Sequence, residues 1–450
     1  MKKGMFFALA ASSLLFSACS SDDAVVSTEG QNEAVQQIVL QVASSGDGLT
    51  TRAGRPLYSS QALQTIQNVR VVIYNADTKK IVKDATQDWT KSTTYNNHGH
   101  GRQFTLTFKG NDRLEKGNYK VMAVGYSNES DYEYSLNATS AVGLTYDDIT
   151  ATLKAGKKEA EEVFAGDADL KIGDDKKITN LTSGEENGVA VTLHRQVAGS
   201  FGYFQNIPAS VNGKAAATLR LVVRDKNDML TFKDFNSSFT ANGATGSTIK
   251  YYVNGSKSTS AATADAQFKD GGNGYVLYSI DLKTWFPELD KNSDGLLNAE
   301  DTWKHPDDVK TQVVKGSVFG SNFVIPFNYA KGKNTMELQL LDAKNNIIKT
   351  WTVSIPAADV NIDATNGNVA DASPSIFNVV RNHMYNLGVK TSNGTTTDPD
   401  PNKPDPDPNK PDPDKPDPGK DEPEDLTKSQ NLILKVNDNW EAIHKLELGD

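Results

Sequence analysis

The sequence predicts an all-β protein with two tandem β-sandwich domains, a spacer rich in proline and aspartate, and a C-terminal strand. Three observations lead to this fold class. Short apolar runs bounded by turn residues recur along residues 66–391, a pattern typical of sandwich strands. Ten of the 17 prolines fall within residues 398–425, a composition that cannot build a core. The last 25 residues return to an apolar alternation, which predicts one further strand.

The chain begins with a segment that has the features of a secretory signal. Lys2 and Lys3 precede an apolar run from Met5 to Phe16, which is too short to span a bilayer as a helix. The residues before Cys19 are similar to a bacterial lipobox, which implies removal of residues 1–18 and attachment of lipid, such as palmitate, to Cys19. Several acyl chains together hold a protein firmly on a membrane. An ordinary signal peptide with an incidental cysteine is the alternative.

Residues 19–52 are interpreted as a propeptide with a detachable strand. After a polar tether, a strand is predicted at about residues 35–43, where Ile38, Leu40 and Val42 share one face. The loop that follows contains glycine and polar residues, as the preferred sites of proteolytic cleavage do. In this loop the bond between Arg52 and Ala53 suits a trypsin-like protease, whereas the second arginine, at position 55, precedes proline and is cut poorly. Plain surface charge on both arginines is the alternative.

Two sandwiches are predicted for residues 53–195 and 196–395, with a boundary near Arg195. A short helix is also expected after Thr145, because two aspartates would lie in its first turn. The clearest strand patterns are Val69–Tyr74, Gln103–Phe108, Tyr119–Val124 and Val189–Leu193 in the first domain, and Thr218–Val223, Tyr275–Ile280, Asn322–Phe327, Met336–Leu340 and Lys349–Ile355 in the second.

A spacer, residues 396–425, separates the second domain from the terminal segment, residues 426–450. Its backbone favours the extended polyproline form, so the 28 residues at positions 398–425 reach on the order of 85 Å at about 3.1 Å per residue. That reach exceeds what a strand needs to return to its own domain. The terminal strand therefore either completes the sheet of another molecule by β-strand addition or folds back on its own sheet, and spacing alone does not separate these alternatives.

Composition and motifs exclude several function classes. The net charge of −10 comes mostly from residues 398–425, where 11 acidic residues and four lysines contribute −7. No basic block indicates nucleic-acid binding, and no nucleophile elbow or phosphate loop indicates an enzyme. The single cysteine, at position 19, allows no intramolecular disulfide. Of the six histidines only His98 and His100 are close in sequence, and they lie in a loop without nearby carboxylates.

One stretch, Asp290–Asp301, follows the twelve-position pattern of a calcium loop. Oxygen donors stand at positions 1, 3 and 5, glycine at position 6, and a carboxylate at position 12. Aspartate at position 12 and Asn298 at position 9 make it more similar to a dockerin-type loop than to an EF-hand. A surface turn rich in Asp and Asn is the alternative. The predicted Ca²⁺ ligands are the side chains of Asp290, Asn292, Asp294 and Asp301 and the carbonyl of Leu296.

Taken in order, the motifs resemble the fimbrillin family, the pilus subunits of Bacteroidales. The order carries the resemblance along nearly the whole chain: a lipobox, a strand followed by Thr51–Gly54, the segments Leu193–Ala198 and Val379–Leu387, and a spacer before a terminal strand. The resemblance implies two transthyretin-like β-sandwich domains and a lipid-anchored precursor at the outer membrane. It also implies cleavage after Arg52 by an arginine-specific protease and head-to-tail polymerisation with other pilin subunits by strand exchange.

On this model the chain is a non-enzymatic shaft subunit of a fimbrium that supports adhesion. The strand lost from the first domain is replaced by the donor strand of a neighbour, residues 426–450. The residues expected to fill the groove are Leu432, Leu434, Val436 and Trp440.

The alternative function is a surface lipoprotein that binds glycan or a host ligand without polymerising. The spacer would then serve as a stalk. Three tryptophans, Trp285, Trp303 and Trp351, would be candidates for stacking on sugar if they were exposed, although core packing is the more common use of this residue.

Overall fold

The structure is a computed structural model, and it confirms the all-β class. It describes residues 35–42, 66–95, 101–136, 140–181, 188–233, 235, 253–259, 263–307, 309, 313–330, 335–354, 376–379, 381, 384–388, 421–428, 431–433 and 435–437. Within these ranges there is one α-helix, α1 (Leu282–Trp285), with 3₁₀ turns at Trp89–Lys91 and Gly110–Asp112. No helix in the described part of the chain is both long and apolar enough to span a membrane.

The N-terminal half, residues 35–195, is a curled eight-stranded sheet with two further short strands. Its sheet order is β3-β2-β6-β9-β10-β1-β5-β4. Apolar side chains from β1 and β10 pack against those from β2 and β6 in one buried cluster, so the curled sheet closes over its own core. The strands are β1 (Gln36–Val42), β2 (Asn68–Asn75), β3 (Ile81–Asp88), β4 (Thr93–Tyr95), β5 (Gly101–Phe108), β6 (Gly117–Tyr126), β7 (Tyr132–Tyr134), β8 (Thr150–Leu153), β9 (Phe164–Ile172) and β10 (Gly188–Arg195).

The C-terminal half, residues 196–437, has two main sheets with a shared core. The orders are β21-β11-β26-β29, with β27 also paired to β11, and β18-β19-β15-β23-β24-β28. The strands are β11 (Ala198–Gln205), β12 (Ile207–Pro208), β13 (Ser210–Val211), β14 (Lys214–Ala215), β15 (Thr218–Val223), β16 (Met229–Thr231), β17 (Gly255–Ser256), β18 (Ala266–Gln267), β19 (Asn273–Asp281), β20 (Leu296–Leu297), β21 (Ser317–Val324), β22 (Phe327–Ala330), β23 (Met336–Leu341), β24 (Ile347–Ser354), β25 (Ile376–Val379), β26 (Met384–Leu387), β27 (Glu424–Asp425), β28 (Asn431–Ile433) and β29 (Lys435–Asn437).

The two halves meet through shared structure. A four-stranded sheet, β17-β16-β8-β7, takes two strands from each half, and one apolar cluster extends across both. The predicted domain boundary at Arg195 falls in the two-residue connection between β10 and β11. There the Arg195 guanidinium lies 2.8 Å from Glu162, with both side chains buried. The next residue, Gln196, accepts hydrogen bonds from Arg381 at 3.2 Å and Asn254 at 3.2 Å.

The prediction of a helix after Thr145 is wrong. The segment is extended and leads into β8. Tyr146 stacks on Tyr74 with ring centroids 4.0 Å apart, and Ile149 is buried. Tertiary packing of these two side chains outweighs the weak local preference of the two aspartates for a helix start.

Candidate strand-exchange site

The first strand, β1, lies in the interior of the N-terminal sheet. It pairs with β10 in parallel, from Gln37 opposite Gly188 to Val42 opposite Leu193. On its other side it pairs antiparallel with β5 along all seven residues. The prediction that residues 35–43 contain a sheet strand is confirmed for the described residues, 35–42.

The burial of β1 follows its alternation on the core face, and Val39, on the opposite face, is also buried at 3% exposed. Ile38, Leu40 and Val42 are 1%, 0% and 0% exposed and belong to the main N-terminal core, whereas Gln37 and Gln41 are half-buried. Each fully buried aliphatic side chain stabilises the fold by about 1.5–3 kcal/mol relative to exposure. The strand is therefore an integral part of the core, and removing it would open an apolar trench.

A polar side chain fixes one end of β1. Gln36 is 1% exposed, and its amide nitrogen donates to the carbonyls of Leu114 at 3.0 Å and Lys176 at 2.8 Å. Its amide oxygen accepts from the backbone N–H of Leu114 at 2.8 Å. This clamp sets the position of β1 along its neighbours, because a shift by one residue would leave these buried groups unpaired.

The vacancy that loss of β1 would leave has two open edges. In the sheet order β1 alone joins β10 to β5, so both would lose their partner along the length of β1. Unpaired strand edges above an apolar trench are an aggregation hazard that proteins normally cover. A strand from elsewhere would satisfy both edges at once.

At the other end of the chain, residues 421–428 are anchored on the C-terminal half. Strand β27 pairs with β11, and Leu426 is 1% exposed in the shared core. Asp425 accepts hydrogen bonds from Asn206 at 2.9 Å and from Thr427 at 2.6 Å. Burial acts to raise the pKa of the Asp425 carboxyl, but these hydrogen bonds outweigh it and lower the pKa to about 2. Leu426, assigned from the sequence to the donor strand, thus belongs to this anchor.

The segment after the anchor lies on its own C-terminal half, the second of the two alternatives left open by the sequence. Strand β28 pairs in parallel with β24, at the edge of one sheet, and β29 pairs antiparallel with β26, at the edge of the other. Leu432 is 1% exposed there. Val436 lies opposite Tyr385 in β29, whereas Leu434 and Trp440 fall outside the described residues.

The two end segments match position by position in sequence. Residues Gln430–Val436 read Q-N-L-I-L-K-V, and β1 reads Q-Q-I-V-L-Q-V. Glutamine, leucine and valine are identical at the first, fifth and seventh positions, and the five buried positions of β1 carry glutamine or apolar residues in both. The two half-buried positions, Gln37 and Gln41, correspond to asparagine and lysine. Reasoning from alternation missed Gln36, but the glutamine at the same offset in both segments was a signal that could have found it.

The other predicted site residues fall into two groups. Cys19, Arg52 and Ala53 lie outside the described residues. The predicted calcium ligands are distributed over the turn between α1 and β20, which holds Asp290, Asn292 and Asp294, over β20 itself, which holds Leu296, and over the segment after β20, which holds Asp301. Across the described part of the chain, no three side chains of His, Cys, Asp or Glu are gathered closely enough to hold a metal ion.

Two of the tryptophans proposed for glycan stacking are core residues. Trp285 is 2% and Trp351 1% exposed, so core packing is their role. Trp303 is half-buried, and its indole N–H donates to the carbonyl of Ser317 at 2.8 Å. None of the three offers a free aromatic face comparable to an exposed stacking platform.

Comparisons with known proteins give structural neighbours only. No family model and no curated protein sequence matches the chain. A fimbrial assembly protein from Parabacteroides distasonis is similar at 14% identity and a TM-score of 0.34, covering 80% of this chain and 93% of that one. The tip fimbrial protein Mfa3 from Porphyromonas gingivalis, with a C-terminal truncation, gives 8% identity and a TM-score of 0.34, covering 78% and 94%. The fimbrial anchor protein Mfa2 from the same organism gives 9% and 0.33, covering 79% and 90%.

The structural neighbours are thus fimbrial proteins of Bacteroidales, the group that the sequence motifs resemble, at low identity. TM-scores of this size define neither a shared fold nor a shared function. The function is therefore inferred from the geometry of β1 and of the C-terminal segment.

Proposed function

We propose that the chain is a structural subunit of a surface fimbrium that polymerises by strand exchange. It is exported as a lipoprotein anchored through Cys19 to the outer membrane. An arginine-specific protease cuts between Arg52 and Ala53, and β1 leaves the N-terminal sheet. The segment Gln430–Val436 of a neighbouring subunit then occupies the vacancy, and the polymer supports adhesion.

The observation that carries this proposal is the match between the two segments at the positions that β1 buries. If Gln430 replaces Gln36, then Leu432, Leu434 and Val436 fall on the places of Ile38, Leu40 and Val42. The polar positions of both segments coincide as well. A register shifted by one residue would bring polar side chains into the trench, so the match specifies one register.

The vacancy left by β1 and the donor segment lie on different surfaces of the molecule. The vacancy lies in the N-terminal sheet, and the donor segment leaves the chain from the anchor on β11. A contact between two unlike surfaces is heterologous, and such contacts extend into filaments when they do not close into a ring. Retention of β1 until the cut would keep subunits monomeric during export.

Cleavage in the presence and absence of the donor segment tests the proposal. Treatment of the purified full-length chain with an arginine-specific protease should produce a ladder of high-molecular-weight species whose subunits begin at Ala53. Deletion of residues 429–450 removes the segment but keeps the anchor, and should give cleaved monomers. Arg52→Ala should abolish the ladder, whereas the matched control Arg55→Ala should keep it. A ladder that survives the deletion would refute strand exchange by this segment.

The membrane part of the proposal has a separate test. Cys19→Ala should move the uncleaved protein from the outer-membrane fraction to the soluble fraction of cells, because the acyl chains are its anchor. Unchanged fractionation of this variant would contradict lipid attachment at Cys19 while leaving strand exchange untouched.

A second candidate function, binding of glycan or a host ligand by a non-polymerising lipoprotein, is favoured by one cavity. It measures about 210 Å³ and is lined by Arg70, Tyr126, Tyr134 and three aliphatic residues. The Tyr134 hydroxyl is buried without a hydrogen-bond partner. The volume is below the roughly 300–1,000 Å³ of usual ligand pockets, so the exchange site is the stronger candidate. Saturable sugar binding by monomers that never form a ladder would favour this second function.

A further inference from the structure

The turn between α1 and β20 is built tightly. Asp290 and Ser293 have φ values of 49° and 60°, and Gly295 has a φ of 87°, so the backbone enters the left-handed region three times within six residues. Left-handed backbone of this kind is uncommon outside glycine and, to a lesser degree, Asn and Asp. The turn thereby brings positions 1, 3 and 5 of the sequence pattern into a tightly wound segment.

Hydrogen bonds connect these oxygens. Asp290 Oδ1 accepts from the N–H of Gly295 at 3.1 Å. Asp294 accepts from the N–H of Leu296 at 2.8 Å and from the side-chain amide of Asn298 at 2.8 Å, and the Asn292 amide also donates to Asp294 at 3.1 Å. The bond from Leu296, followed by that from Asn298, lowers the pKa of Asp294.

The last position of the sequence pattern holds a buried carboxylate, one oxygen of which accepts no hydrogen bond within the described residues. Asp301 is 7% exposed, and its Oδ2 accepts from the N–H of Asn298 at 3.0 Å. Its Oδ1 is buried and has no hydrogen-bond partner in the described part of the chain. Asn298 connects Asp301 to Asp294, because its backbone N–H donates to Asp301 and its side-chain amide donates to Asp294. A buried carboxylate oxygen without a partner is costly, and a cation is the partner that would remove this cost.

We propose that Asp290–Asp301 is a binding site for one Ca²⁺ ion. The ligands are the side-chain oxygens of Asp290, Asn292, Asp294 and Asp301 and the Leu296 carbonyl, all of them hard oxygens of the kind Ca²⁺ selects. The ion replaces the amide donors of Asn292 and Asn298 at Asp294 and supplies the missing partner of Asp301. The turn closes around the ion. This closing accounts for the ligand positions in the structure, which are near one another but are not gathered around one point.

The ion would brace a part of the fold close to the anchor of the C-terminal segment. Strand β20, which continues the turn, pairs with β12, and the N–H of Ala209 donates to the Gly295 carbonyl at 2.9 Å. The residue before β12 is Asn206, which holds Asp425. This inference does not depend on strand exchange, because the ligands are all within one turn of one chain.

Calorimetric titration of the full-length chain, first treated with chelator, tests the site. CaCl₂ should bind at one site with a Kd on the order of 10⁻⁴–10⁻³ M, as in other extracellular calcium loops. Asp294 is exposed, so Asp294→Asn should fold normally and weaken binding at least about tenfold, which corresponds to about 1.4 kcal/mol. The matched control is Asp342→Asn, since Asp342 holds a similar turn through Lys344 and Asn346; its binding should equal wild type. No binding heat, or equal weakening by both variants, would overturn the proposal.

Limited proteolysis gives a second readout that needs no variant. Lys291 is an exposed cleavage position inside the turn, and Lys344 is an exposed one in the control turn. Millimolar Ca²⁺ should slow tryptic cleavage at Lys291 severalfold and leave cleavage at Lys344 unchanged. Equal rates at Lys291 with Ca²⁺ and with chelator would overturn the proposal, and so would equal protection by Mg²⁺ at the same concentration.

Discussion

Replacing Gln36 with alanine removes a buried clamp from β1 while leaving the apolar face of the strand intact. The side chain makes three hydrogen bonds, to the Leu114 carbonyl, the Lys176 carbonyl and the Leu114 N–H. At about 0.5–1.5 kcal/mol net for each bond, the variant should lose roughly 1.5–4.5 kcal/mol of the free energy of unfolding of the N-terminal half. Alanine leaves the Leu114 N–H and carbonyl buried without these bonds, and it leaves the partly buried Lys176 carbonyl without its bond from Gln36.

Urea unfolding of the uncleaved chain, followed through the fluorescence of the buried Trp89, measures this loss. The matched control is Gln37→Ala, one residue along the same strand. Gln37 is half-buried, and its variant should stay within about 0.5 kcal/mol of wild type. If Gln36→Ala and Gln37→Ala shift the urea midpoint equally, the clamp contributes nothing.

Gln36 and Gln430 together test the register of the proposed exchange. In the proposed cleaved polymer β1 is absent, so Gln36→Ala should leave polymer stability unchanged. Gln430→Ala should instead weaken each subunit contact by a similar 1.5–4.5 kcal/mol, roughly tenfold to a thousandfold in the dissociation constant. The assay is the urea concentration that dissociates preformed polymers of each variant. A polymer weakened by Gln36→Ala but not by Gln430→Ala would refute the proposed register.

Three further predictions concern the frame of the site. Glu162→Gln should lower the free energy of unfolding by about 3–5 kcal/mol in urea, because it leaves the Arg195 charge buried without its partner; a loss below about 1 kcal/mol would contradict this. Gly166→Ala should lower the free energy of unfolding by about 1–3 kcal/mol or more, and with it the thermal midpoint, since the new Cβ would clash with the Thr192 carbonyl oxygen. The pKa of Asp425 is about 2 when folded and about 3.9 when unfolded, so its stabilisation is present above about pH 4 and lost as the pH falls toward 2. Proteolysis of the anchor should accelerate in that window, and Asp425→Asn should remove the acceleration.

Local pattern was enough to find most strands, because alternation encodes which face of a strand is buried. Strand β15 has the predicted bounds, Thr218–Val223, and β2, β6 and β19 extend their predictions by one or two residues at each end. The predicted strand Asn322–Phe327 is divided between β21 and β22. Proline at position 326 lies at this division, where it can donate no ladder hydrogen bond.

Pairing partners were not predictable, because a period of two says nothing about which strand lies alongside. The parallel pairing of β1 with β10 joins segments about 150 residues apart. The two family-like motifs Leu193–Ala198 and Val379–Leu387 were visible in the sequence, but their meeting was not. A buried hydrogen bond between Gln196 and Arg381 joins the two motifs. Glutamine and arginine are mostly exposed in proteins, so neither residue type predicts burial on its own. The role of Gln36 shows the same limit, since its partners Leu114 and Lys176 lie in distant loops.

On the proposed function, the energetics of exchange explain why a cut is needed to start it. In the slot of β1, six residues have neighbours on both sides and Gln36 has a neighbour on one side, whereas β28 and β29 offer three residues each with a neighbour on one side. The slot thus satisfies about seven more backbone groups, or about 4–11 kcal/mol at the usual net value for a hydrogen bond. Joining two molecules costs a comparable 4–15 kcal/mol. Leu432 is already buried at its sheet edge, so its transfer adds little apolar burial.

The decisive contribution is the open trench itself. Three core positions of β1 lose about 1.5–3 kcal/mol each when the strand leaves, and only an incoming strand restores this free energy. An uncleaved subunit has no such deficit, and its own β1, held at high local concentration, excludes the segment of a neighbour.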